Sequence, residues 1–443
     1  MNNTKNETMN DFALKAVPES ARKWTALSLF SILLGMSTAM FFFLFGGMAV
    51  KLYGMTYLII GLIIVAIISG SLSFFLILIA SETGLDIDLI TCSSVGYKGA
   101  CITSLIYGAS YIIYFALEAS IIAESIHSQY TFIPMPVLYT FVALAFVLLT
   151  WYGITIMNYI MWLSLPIYLV GIAWFIHVVK HMPYHFDIFS YQHAMVDLHG
   201  GPILLQLIVM FLAPTIAGAL ASADIGRFIP RKNNVLKSLI LGYCFAIFGY
   251  LGVCLLGAWI GTKLSQSDPG IYLPAILGGF GTLVVIISQI RINTINTYSG
   301  SLAFSTFFSR LIGFTPGRQY WVIFLAIASL ILMFFDIIKH VNNIFTFLAI
   351  FLISWTSVIL TDILYNKSLF KITPKNFPIE RGTIPDYNYV GLIALVMAIL
   401  VGLPLSFGLC GPLWITLAPF VSGTVAIFLV LLLSNLKYMQ RKG

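Results

Sequence analysis

Twelve stretches of this chain are each long and apolar enough to cross about 30 Å of hydrocarbon, and that feature decides what the chain can become. They cover residues 25–48, 55–80, 100–125, 134–154, 157–179, 203–223, 236–261, 274–308, 320–338, 343–364, 388–408 and 413–435, numbered here as spans one to twelve. Inside a bilayer every backbone amide and carbonyl needs an internal partner, so helices are expected throughout. The eighth stretch is too long for one straight helix, so part of it is expected to bend or lie at the surface. Only 9% of the 443 residues are charged. Soluble proteins carry about 25%. A soluble enzyme, a nucleic-acid binder and a disordered chain are all excluded. The expected class is an all-α integral membrane protein with one membrane domain. It has a polar tail at 1–24, spans one to six over 25–223, spans seven to ten over 236–364 and spans eleven and twelve over 388–435. No signal peptide is expected, because the first apolar run follows that tail and is too long for a signal core.

Twelve crossings put both termini on one side, and lysine and arginine say which. The side of the N-terminus carries 18 of them, the opposite side only Lys51, Lys180, Lys263 and Lys339, and Arg291 is left inside a span. The positive-inside rule places both termini in the cytoplasm. A missed helix would scramble this asymmetry, so it also supports the span count. The five cysteines sit in or beside apolar runs without a CxxC pair, and buried free thiols are expected. His177, His181 and His185 invite a metal reading, but Pro183 interrupts the series and no metal site is expected. No phosphate-binding loop, GxSxG or HExxH is present, so neither an ATP-driven pump nor a hydrolase is indicated.

Helices that break are the pointer to a transport site. Gly35, Gly46 and Gly47 interrupt span one, and Pro214 and Gly218 interrupt span six, five spans later and in the opposite direction. Unwound backbone is expected at both places. Two polar stripes lie in the hydrocarbon. In span three, Ser104, Tyr107, Tyr111, Tyr114 and Glu118 follow at steps of 3, 4, 3 and 4, which puts them on one helix face. In span eight, Gln289, Asn293, Asn296 and Gly300 form a second face, with Arg291 in the middle of the same stretch. A tyrosine offers a flat π-face with a hydroxyl, and an amide can meet both donor and acceptor edges of a ligand. Packing stripes and helix-gluing amides are the structural alternatives. Asp224 and Arg227, three apart at the end of span six, suit a plain ion pair.

The chain resembles the bacterial cytosine permeases and the wider nucleobase:cation symporter-1 family over nearly its full length. The segments that carry the resemblance are VPESARK (17–23), TGL (83–85), VGYKG (95–99), ASADIGRF (221–228), INTINTYSGSLAF (292–304) and TDILYNK (361–367), in that order and spacing. The resemblance implies a LeuT-like fold, two five-helix inverted repeats followed by two extra helices. It implies a nucleobase or related substrate. Tyr114 matches the aromatic that stacks on the base, and Asn293 matches the span-eight asparagine. Tyr111 stands where cytosine permeases have a base-recognising glutamine, Thr215 where an aromatic completes the stack, and Glu118 where a small residue is found. These departures leave the ring open: cytosine, a purine, allantoin, a hydantoin, thiamine or a pyridoxine-type compound.

The expected function is import of such a heterocycle across the cytoplasmic (inner) membrane by alternating access. Tyr111 and Tyr114 would contact the ring, and Asn293 and Asn296 would bond its edge. Glu118, Gln289 and the backbone at Pro214 and Thr215 would complete the pocket. In sodium-coupled relatives a cation sits between spans one and eight, and by the same matching Arg291 replaces one of its hydroxyl ligands. Its guanidinium is expected to donate to the carbonyls around Gly35, Ser37 and Thr38 as a fixed substitute for the ion. Glu118 would then carry a proton, and transport would be sodium-independent, either proton-coupled or facilitated. The alternatives are a sodium-coupled transporter of another heterocycle or of an amino acid, and a membrane sensor of nucleobases. No cofactor beyond the coupling ion is expected. The partners are the small heterocycle and membrane lipid, with no nucleic acid and no obligate protein.

Overall fold

The computed structural model describes residues 12, 14–151, 154–183, 189, 201–367 and 377–440. Helices fall on all twelve apolar stretches. Eight described helices are long and apolar enough alone to cross a membrane, and the bent pair Leu27–Ser37 and Met40–Tyr53 makes a ninth. Met135–Thr150 and Arg318–Phe334 are shorter apolar helices on spans four and nine. The long helix of span eight, Gly279–Ile312, is polar along most of one face yet buried over most of its length. That is the composition of a helix surrounded by protein instead of lipid.

Span one is the broken helix. Thr25 caps its first half, accepting from the Ser28 N–H at 3.1 Å, and that half ends at Ser37. The second half starts at Met40, and the two are bent by 43°. The break therefore falls at Thr38 and Ala39, between the glycines that the sequence singles out. Gly46 serves close packing: a Cβ there would lie 1.9 Å from the Cys254 carbonyl oxygen of span seven.

Span six corrects an expectation. It is one continuous helix, Ile203–Gly226, straight through Pro214, with no unwound segment. A proline removes a single helical hydrogen bond. In a membrane bundle, packing of the neighbouring helices holds such a helix together. Nearly all of span six from Gln206 onward is buried, so it has that support. Span eight is expected to bend; a short helix, Pro269–Leu277, does stop at Gly278, whose φ of +59° turns the chain, but Gly279–Ile312 then runs 34 residues as one helix. Span seven, Asn234–Leu264, contains a π-helical stretch at Ile247–Cys254.

Span three lies along span eight, and span two along spans six and seven. Span ten touches six and twelve, and spans eleven and twelve pack on each other. The loops expected on the tail's side do meet at one end. The Val17 N–H donates to the Gly84 carbonyl at 2.8 Å and Arg22 Nη1 to the Ser81 carbonyl at 2.7 Å, tying the tail to the loop after span two. Lys98 pairs with Asp386 at 2.9 Å, joining that loop to the connection before span eleven. Cys92, Cys101 and Cys254 are buried free thiols as expected, Cys244 is half-buried, and Cys410 is exposed.

Candidate substrate-binding site

A cavity of about 50 Å³ lies beside the break in span one. That is less than the roughly 300–1,000 Å³ of a ligand pocket, so holding a ring requires the walls to part. Of the residues expected in the pocket, Tyr111, Tyr114, Glu118, Pro214 and Asn296 line it. The remaining wall is apolar: Met36, Ala39, Phe41 and Phe42 of span one, Ala217, Gly218 and Ala221 of span six, Phe245 of span seven, and Ile292 and Ile295 of span eight. The sequence reading missed the phenylalanines. The run of three at 41–43, directly after the break, was the available signal.

Span three presents its stripe as the spacing requires, but the stripe serves two places. Tyr111, Tyr114 and Glu118 reach the cavity, whereas Ser104 and Tyr107 point below it to buried aspartates. Tyr114 stands 5.5 Å from the Phe345 ring and 6.4 Å from the Tyr111 ring. Its hydroxyl is buried and makes no hydrogen bond. The ring face is thus what Tyr114 offers. Tyr111 has room to stand because of Gly300, where a Cβ would come within 2.8 Å of the Tyr111 Cβ.

Glu118 is tied down from two sides. Gln289 Nε2 donates to its Oε2 at 2.5 Å and to its backbone carbonyl at 3.0 Å. Gln289 Oε1 in turn accepts from the Met40 N–H at 3.3 Å, and the Phe41 N–H meets the Glu118 carboxylate. Met40 and Phe41 open the second half of span one, whose first N–H groups have no helical partner. The pair Glu118–Gln289 therefore caps a helix N-terminus, where negative charge is favoured. Gln289 itself lies behind the cavity wall.

The two asparagines change rank. Asn296 lines the cavity and its Nδ2 donates to Asn293 Oδ1 at 2.9 Å. Asn293 sits behind it and donates to the Phe115 carbonyl at 3.4 Å. The residue matched by resemblance is the support, and its neighbour one turn on meets the space. Thr215 is also displaced: it is buried but off the cavity wall, facing Tyr250 of span seven. Span six stays helical there, so its side chains follow helical spacing, and Pro214, Ala217, Gly218 and Ala221 take the inner face.

At the region expected to couple an ion, the groups are satisfied by protein. The Thr38 carbonyl accepts from Ser288 Oγ of span eight at 2.8 Å. Thr38 Oγ1 donates to the Leu34 carbonyl at 2.8 Å and lies 3.3 Å from that of Gly35, and Ser37 Oγ donates to Leu33 and Phe245 carbonyls. Arg291 is fully buried, with Nη1 on Ser164 Oγ of span five at 3.0 Å and Nη2 on the Ser31 carbonyl at 3.2 Å. It does reach span one, but at Ser31, short of the Gly35–Thr38 carbonyls expected. Two other sequence readings are adjusted. Arg227 forms its ion pair with Asp86 at 2.9 Å, from the loop after span two, while Asp224 accepts from Tyr107. The His177 and His181 rings are 5.2 Å apart, and His185 lies outside the described residues. Among the described residues no three potential ligands gather into a metal site.

A broken first helix, a long polar helix of span eight buried in the bundle and a cavity between spans one, three, six, seven and eight suit a multi-pass membrane transporter. The solved structures with this shape agree. Mhp1, a nucleobase-cation-symport-1 family transporter in a closed conformation with bromovinylhydantoin bound, superposes with TM-score 0.73 at 16% identity, over 94% of this chain and 93% of that one. A sodium-coupled sialic acid symporter in a substrate-bound outward-open state superposes with TM-score 0.66 at 12% identity, over 98% and 93%. The fold is LeuT-like. In sequence, the chain is 23% identical over 326 residues to the protein named "Putative purine-cytosine permease YxlA" of Bacillus subtilis (strain 168), covering 70% of this chain and 68% of that protein. Residues 16–429 match the family model described as permease for cytosine/purines, uracil, thiamine, allantoin, and the chain belongs to that family.

Proposed function

We propose that this protein imports a nucleobase, cytosine or a purine, or a closely related flat heterocycle across the cytoplasmic membrane by alternating access, with both termini in the cytoplasm. The observation that carries the reading is the pairing of a bare aromatic face with an amide at one cavity. Tyr114 offers a ring whose hydroxyl makes no bond, and Asn296 offers donor and acceptor to a planar edge. Stacking plus edge bonding is how flat bases are held. The apolar remainder of the wall suits a small ring without long substituents.

Coupling to a proton, with sodium not required, is the second element. Ser288 already satisfies the Thr38 carbonyl at the break, and Arg291 places a permanent positive charge between spans one, five and eight. A guanidinium stays charged at any ordinary pH and repels a second cation nearby. The test is a thermal-shift panel of nucleobases and of thiamine, allantoin and hydantoin on purified protein. It is followed by uptake into proteoliposomes in sodium-free buffer with and without an imposed pH gradient. A ligand that binds only the folded protein raises its melting temperature. Strict sodium dependence would overturn the coupling assignment. A panel without any hit would overturn the substrate class.

A further inference from the structure

Below the cavity, toward the end where the tail and loops gather, three carboxylates lie in the protein interior. Asp86, Asp88 and Asp224 are each 1% exposed. The cations that face them are Arg227 of span six, paired with Asp86 at 2.9 Å, and Arg310 of span eight, bonded to Cys92 Sγ and to the Tyr97 carbonyl. Asp362 nearby is already matched by Lys367. Among the described residues, three carboxylates face two guanidinium groups here, one proton short of neutrality. A buried, uncompensated charge is costly, and taking up a proton removes it.

One of the three is connected to the cavity. Tyr111, in the cavity wall, donates its hydroxyl to the Tyr107 hydroxyl at 2.8 Å, and Tyr107 donates to Asp224 Oδ2 at 2.9 Å. Asp224 Oδ1 accepts from the Ile87 N–H at 3.3 Å. From the remaining elements, Asp88 is held by Ser104 at 2.6 Å and Tyr298 by Arg227 at 2.9 Å. The Ser299 hydroxyl, fully buried, stands beside Asp224 and Tyr111 without a well-formed hydrogen bond.

The direction of this chain follows from the charge at its end. With Asp224 ionised, Tyr107 gives its hydrogen to the carboxylate and Tyr111 gives its hydrogen to Tyr107. The Tyr111 oxygen then shows only lone pairs to the cavity. With Asp224 protonated, the acid donates to Tyr107, Tyr107 donates to Tyr111, and the Tyr111 hydrogen turns into the cavity. We infer that Asp224 is a proton site whose charge, relayed through Tyr107, switches Tyr111 between acceptor and donor toward the substrate. Resting on the transporter reading above, this assigns the link between proton and ligand to the hydroxyl chain, separate from Glu118. One O–H bond forms, at Asp224, from a proton supplied by water. The phenols only rotate, and neither is ionised.

Two measurements test this, one of them without substrate. In pH-difference infrared spectra of the purified protein, a carboxylic-acid carbonyl band titrates, vanishes in Asp224→Asn and shifts in Tyr107→Phe. A band set unchanged in both variants overturns the assignment, whatever the protein transports. Equilibrium binding of nucleobases is then followed from about pH 5 to about pH 9. A hydrogen bond of the wrong polarity costs 1–3 kcal/mol, so the wild-type Kd changes by roughly 5- to 150-fold across the transition. Tyr107→Phe and Asp224→Asn hold one affinity at every pH, the asparagine mimicking the protonated donor. The proposal is overturned if the dependence survives in Tyr107→Phe. Should no nucleobase bind, the substrate reading fails while the infrared result still decides this one.

Discussion

Replacing Gln289 with leucine keeps most of the side-chain volume and removes three hydrogen bonds at once. The bond from Nε2 to the Glu118 carboxyl, 2.5 Å long, is charge-assisted when Glu118 is ionised; those to the Glu118 carbonyl and from the Met40 N–H are ordinary. A bond to a charged group contributes about 1.5–3 kcal/mol and an ordinary one about 1 kcal/mol, for a gross loss of about 3–5 kcal/mol. Leucine buried in the same space returns roughly 1 kcal/mol, so a net loss of about 2–4 kcal/mol is expected. The assay is equilibrium unfolding in detergent, run as a double-mutant cycle with Glu118→Gln. In that second background the carboxylate is already neutral, and Gln289→Leu should cost less than about 2 kcal/mol. Equal costs in the two backgrounds, or a single-variant loss under about 1 kcal/mol, would refute the idea that Gln289 holds a charged Glu118 against the broken helix.

Tyr114→Ala should weaken nucleobase binding by roughly 5- to 150-fold, while Tyr114→Phe keeps nearly full affinity because the hydroxyl has no partner; titration calorimetry on both separates face from hydroxyl. Asn296→Ala should cost about 1–3 kcal/mol of binding through the lost edge contact, whereas Asn293→Ala should show its effect mainly in thermal stability, since it supports Asn296 from behind. Gly46→Ala should lower expression and melting temperature sharply, because the new Cβ would meet the Cys254 carbonyl oxygen at 1.9 Å; a folded variant of wild-type stability would show that spans one and seven can part there.

The fold was legible where the physics is local and strong. Apolar stretches had to become helices, and alternate connections between crossings had to meet at one end. The stripe Tyr111, Tyr114, Glu118 was readable for the same reason, since a helical period fixes which residues share a face. What was not readable depended on partners far away in sequence. Glycine allows both unwinding and close approach, and only the Cys254 backbone decides that Gly46 does the latter. A proline signals a break, yet burial of span six keeps it helical through Pro214. Asn293 and Asn296 carry the same group at helical spacing, and which of them meets the cavity is a matter of rotation set by Phe115. The pairing of Arg227 with Asp86, 141 positions away, lay beyond any local pattern; Asp224, three residues away, was the pattern's choice.

The central claim is that this cavity carries a flat heterocycle across the membrane, and counterflow measures that directly. Proteoliposomes holding the purified protein are preloaded with unlabelled cytosine, or with unlabelled adenine, and diluted into a trace of the same base labelled. The account predicts transient accumulation of label for at least one of these bases, abolished by Tyr114→Ala and blocked by excess external ligand. Label that never exceeds its empty-vesicle level for any nucleobase, with a wild-type protein that remains folded, would contradict it.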